Sequence, residues 1–113
     1  MPIREDAGEL LLFVYKKYVE KYIAELTNLE NFKKESGWDE VRIMNAVEYL
    51  KDKELINVNL YYIYPNDGRS FIIYKIYPSG IDIIEDKQKF KNTFGFEINL
   101  GLFKFSWTRS RKD

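Results

Sequence analysis

Apolar residues recur along this chain with two different periods, and the switch between them lays out the elements. From Leu10 to Leu26 the spacing is helical: Leu11, Val14, Tyr15, Tyr18, Tyr22 and Leu26 form one stripe, and Leu12, Val19 and Ile23 form another around the cylinder. Such a helix is more apolar than a one-sided surface helix requires. Either a small core wraps around it, or the second stripe is a contact surface for a dimer partner or for the chain's own tail. Residues 2–8, polar and containing Pro2 and Gly8, read as a loose lead-in. Asn28 to Ser36 predicts a short second helix carrying Leu29 and Phe32 inward, with Gly37 suited to a left-handed terminus. Asp39 is a good N-cap for a third helix, in which Val41, Met44, Val47 and Leu50 recur with Ile43 and Ala46.

After the polar corner Asp52-Lys53-Glu54 the period shortens to two. Val58, Leu60, Tyr62 and Tyr64 alternate with Asn57, Asn59, Tyr61 and Ile63, a strand rich in aromatic and β-branched residues. Pro65-Asn66-Asp67-Gly68 supplies turn chemistry, and Phe71 to Tyr77 returns antiparallel. Pro78 fits the first turn of a helix, where its missing amide costs nothing, and Ile81, Ile84 and Phe90 give that last helix its apolar contacts. The tail departs from this layout. Phe94, Phe96, Ile98, Leu100 and Leu102 alternate with Gly95, Glu97, Asn99 and Gly101, and then Phe103, Phe105 and Trp107 alternate in the opposite phase. The phase flip predicts a bulged or bent strand, or a change from one buried face to the other. An aromatic stretch of this kind needs cover, from the first helix or from another chain.

The residues VEYLKDKELI, the hairpin, and IYPSGIDIIE resemble the end of the third helix, the wing and the opening of the fourth helix in small prokaryotic transcription regulators of the winged-helix superfamily. In many of these a threonine caps the last helix just before the proline; here Tyr77 stands in its place, so the cap must come from elsewhere. The resemblance covers about residues 10 to 90. It implies an α+β class: a winged helix-turn-helix of three helices, a β-hairpin wing and a fourth helix, over residues 1–92. Residues 93–113 are then an aromatic-rich C-terminal β-extension, packed on the same domain or on a dimer partner. The function implied is that of a DNA-binding transcriptional regulator. A non-enzymatic protein-interaction or assembly module on the same scaffold is the alternative.

Composition alters this picture at two points. Eighteen basic and eighteen acidic residues cancel, so the chain lacks the basic excess by which nucleic-acid binders neutralise phosphates. The chain also has no cysteine and no histidine, which removes a disulfide framework, the common ligands of structural zinc and the common bases of nucleophilic triads. No Walker loop or dinucleotide fingerprint appears. No metal, cofactor or catalytic residue is therefore expected. The acidic pairs Glu5-Asp6, Asp39-Glu40 and Glu85-Asp86 read as capping or solvated groups. No apolar run approaches the roughly 18 residues that would span a bilayer, and the cytoplasm is the default compartment.

Were double-stranded DNA the partner, the third helix would enter the major groove and the wing would lie along the backbone. Arg42 and Asn45 are suitable base readers there, with Lys51 on the same helix. Arg69 near the wing tip suits a phosphate, or is a solubilising charge, and Lys33 and Lys34 of the second helix could meet the backbone. Yet residues 39–54 carry five acids (Asp39, Glu40, Glu48, Asp52, Glu54) against three bases (Arg42, Lys51, Lys53), a net charge of −2. For self-association, a homodimer is expected through Leu12, Val19 and Ile23 of the first helix and Phe94, Phe96, Phe103, Phe105 and Trp107 of the tail. Lys104, Arg109, Arg111 and Lys112 lie beside those aromatics, an interleaving that suits nucleic acid, an anionic membrane surface or a protein alike.

Overall fold

A computed structural model of the chain describes residues 2–21, 27–63 and 68–98. In chain order it holds α1 (Ile3–Lys21), β1 (Thr27–Asn28), α2 (Leu29–Ser36), α3 (Glu40–Asp52), β2 (Ile56–Ile63), β3 (Gly68–Ile76), α4 (Pro78–Ile84) and α5 (Lys87–Phe94). The class is α+β, and the order is compatible with a winged-helix-like topology.

Local chemistry explains most of the boundaries. The Asn31 amide donates to the Asn28 side chain at 2.8 Å, which caps α2, and Gly37 ends that helix at φ 75°. The Arg42 amide donates to Asp39 Oδ1 at 2.8 Å, so Asp39 caps α3 as its position predicts. Pro78 opens α4, and Tyr77 before it supplies no side-chain cap. Ser79 Oγ instead donates to the Glu54 carbonyl at 3.0 Å and ties that helix to the α3–β2 corner.

The sheet has the order β1-β3-β2, antiparallel throughout. Val58, Leu60 and Tyr62 stand opposite Ile73, Phe71 and Arg69, with a register shift between Asn57 and Val58. Phe71 and Ile73 are buried, and Arg69 reaches α3, so this row faces the helices. α1 is the central element, packed on α3, α4, α5 and β3. Its residues Leu10 to Val14 are all buried, so the core wraps around that half of the helix. Phe13, Phe32 and Trp38 pack edge to face there, with centroids 4.9 and 5.2 Å apart.

Several expectations need correction. α1 starts at Ile3 and takes in residues read as a loose lead-in, because Asp6, Ala7 and Gly8 are buried. Leu12 belongs to the core rather than to a second exposed stripe. β1 has only two residues, pairing with Ile73 and Ile72, and no strand was expected there. The last helix is two helices: Asp86 breaks the run by accepting from the Gln88 and Lys89 amides, both at 3.1 Å, and so caps α5. Phe94 is the final residue of α5 rather than the first of a strand, and Gly95 ends that helix at φ 90°. The i, i+4 pair Phe90 and Phe94 is fully buried, and Phe96 closes edge-on to Phe90 at 5.1 Å. A division after residue 92 therefore runs through α5, and the start of the extension packs on its own chain. The turn at 65–67, Ile23, Leu100, Phe103, Phe105, Trp107 and the phase flip lie outside the described residues.

Candidate functional site

The face expected to meet a nucleic acid is built by α3, the hairpin and α2, and its two arginines are already engaged. Arg42 turns back to α1. Its Nε donates to Asp6 Oδ2 at 2.8 Å and its Nη2 to Asp6 Oδ1 at 3.0 Å, a bidentate pair. The guanidinium also lies 3.9 Å from the centre of the Trp38 ring. Asp6 is only 2% exposed, so its charge requires this partner. Arg69, on β3 opposite Tyr62, donates through Nη1 to Glu48 Oε2 of α3 at 2.7 Å. That contact ties the hairpin to α3 across two half-exposed side chains, and exposed pairs of this kind contribute little to stability.

The other candidates are dispersed. Asn45 shares a shallow depression of about 660 Å³ with Asp6, Asp39, Glu40, Val41 and Arg42, lined by more acids than bases. Lys51 lies towards the far end of α3, in a second open depression of about 620 Å³ with Glu54, Asn57, Tyr77 and Ser79. Lys33 and Lys34 are exposed in the last turn of α2. Neither depression gathers the six residues proposed for nucleic acid. The helix with a basic excess is α5, whose Lys87, Lys89 and Lys91 are all exposed. Lys91, by a 3.0 Å hydrogen bond and by its charge, holds the Glu97 carboxyl below its ordinary range, and the charge of Lys87 adds to this.

The apolar candidates also separate. Val19 is 59% exposed near the end of α1, whereas Leu12 and Phe94 are interior and Phe96 is half-buried. A different set of apolar side chains is exposed instead: Tyr61 and Ile63 on one face of β2, Tyr62 on the other at 71%, and Tyr74 on β3. The signal for it in the sequence is the uncharged run from Ile56 to Ile63. Glu48 and Asp6 were also missed as the partners of the two arginines.

Among the described residues no group of three or more acidic side chains is placed to hold a metal ion, and no helix is long and apolar enough to cross a membrane. No protein-family model, no curated protein and no solved structure matches this chain.

Proposed function

We propose that this chain is a non-enzymatic protein-interaction module on a winged-helix scaffold, and that it self-associates. The observation that carries the reading is the engagement of Arg42 by Asp6 and of Arg69 by Glu48. A groove-reading surface needs those guanidinium groups directed outward, towards phosphates and base edges. Here they neutralise the chain's own carboxylates, and residues 39–54, which include Arg42 and Glu48, carry a net charge of −2. An uncharged aromatic strand is exposed on the same hairpin.

DNA binding is the second reading, favoured by the exposure of Lys33, Lys34 and Lys51 on α2 and α3. One pair of measurements separates the two. The interaction reading expects no binding to mixed-sequence duplexes in anisotropy titrations near 50 mM salt, where phosphate contacts are strong. It also expects a mass above that of one chain by light scattering. Duplex binding whose salt slope drops by about one unit in Lys34→Ala would replace it with the regulator reading.

A further inference from the structure

β2 is the outermost strand of the sheet among the described residues, and its sequence, INVNLYYI, carries no charge over eight positions. Natural edge strands are commonly kept from pairing by lysine, by proline, by shortness or by a bulge. β2 has only the register shift between Asn57 and Val58, so from Val58 to Ile63 the strand is regular, with one side bonded to β3. Eight residues at about 3.3 Å each make an edge of roughly 26 Å.

We propose that β2 is the docking edge for a second copy of this chain, pairing antiparallel with β2 of the partner to join two three-stranded sheets into one. This rests on the interaction reading above and names its surface. Charge favours a second copy as the occupant: β2 is uncharged and the chain has zero net charge, so two copies meet no net repulsion and no charged partner is drawn to the edge. The strand is also complementary to itself. With the two-fold axis at Leu60, Asn59 lies opposite Tyr61 and Val58 opposite Tyr62, twice each. Each aromatic ring then meets an amide or a β-branched side chain on its own face. The exposed Tyr61, Tyr62 and Ile63 of both copies flank the joint and add apolar contact to the backbone pairing.

The chain's lack of cysteine makes this directly testable, since a single introduced thiol has no native competitor. Full-length Asn59→Cys and Tyr61→Cys proteins, mixed under oxidising conditions, should form a mixed disulfide dimer in higher yield than either alone. Tyr61→Lys should weaken dimerisation at least about tenfold by light scattering, with an unchanged circular dichroism spectrum. A dimer that crosslinks through Val19→Cys and not through β2 overturns the proposal and leaves the interaction reading standing. A monomer that binds duplex DNA removes both. A monomer whose outward β2 amides resist hydrogen exchange overturns the proposal by assigning the edge to the chain's own residues 99–113.

Discussion

Arg42 joins two helices through a carboxylate 36 positions away, and that link makes it a structural residue first. Removing one partner of a buried pair leaves the other charge unsolvated, at a cost of about 3–5 kcal/mol. The Arg42 side chain keeps 24% exposure, so water can reach its end of the pair and the lower figure applies. Arg42→Ala should therefore destabilise the fold by about 3 kcal/mol in urea titrations. The double variant Asp6→Leu/Arg42→Met should recover most of that loss, because it removes both desolvated charges together. A double variant as unstable as Arg42→Ala would place the stabilisation in the stacking on Trp38 instead. Tyr15 makes another long-range polar contact, its hydroxyl donating to Glu85 Oε2 at 2.6 Å. Burial, then this hydrogen bond, then the charge of Glu85, push the phenol from 10.0 up to about 12. Between those values an unfolded tyrosine releases a proton that the folded one keeps. The contribution is thus complete below pH 10 and is lost as pH rises towards 12. Stability measured across that window should fall less steeply in Tyr15→Phe, and identical slopes would refute the assignment.

At the scale of elements, α1 and α5 meet where one residue has no side chain. A Cβ on Gly8 would stand 2.8 Å from Phe94 Cβ and Cγ and 3.0 Å from Phe96 Cε1. Helix propensity alone favours Gly8→Ala by about 1 kcal/mol. The crowding reverses the sign, and overpacking of this kind costs about 1–3 kcal/mol. A net loss in thermal or urea unfolding is expected, and a gain would mean that α5 moves aside freely. The close approach also explains what could and could not be read from the chain. Asp39, Gly37 and Pro78 act on their immediate neighbours, so the α2, α3 and α4 boundaries were legible from residue types. Asp6 and Gly8 look like lead-in residues because what buries them, Arg42 and Phe94, is distant in sequence. Phe94 and Phe96 alternate like a strand, yet the same stretch pairs Phe90 with Phe94 at helical spacing. Tertiary burial against α1 decided between the two periods. The arginines were recognised as important, but whether they face a ligand or a carboxylate depends on packing that no spacing encodes.

Over the whole molecule, the two ends of the described chain hold each other. Arg4 donates from Nε to the Thr93 carbonyl and from Nη2 to the Asn92 carbonyl, both at 2.8 Å, so the first turn of α1 satisfies the last turn of α5. Phe90 and Phe94 are fully buried beside it, and Phe96 and Ile98 pack on the same cluster. The core therefore reaches at least residue 98, and two truncations test how much of this end it needs. Ending the chain after Asn92 removes Phe94, whose loss from a core costs about 3–5 kcal/mol, together with the half-buried Phe96 and Ile98. Domains of this size have only about 5–15 kcal/mol to lose. That truncation should abolish cooperative unfolding and near-ultraviolet dichroism. Ending the chain after Ile98 keeps every described contact and should preserve cooperative unfolding. If the shorter protein melts like the longer one, Phe94 and its neighbours do not hold α1 in place. If the longer one also fails to fold, residues 99–113 contribute to the core itself.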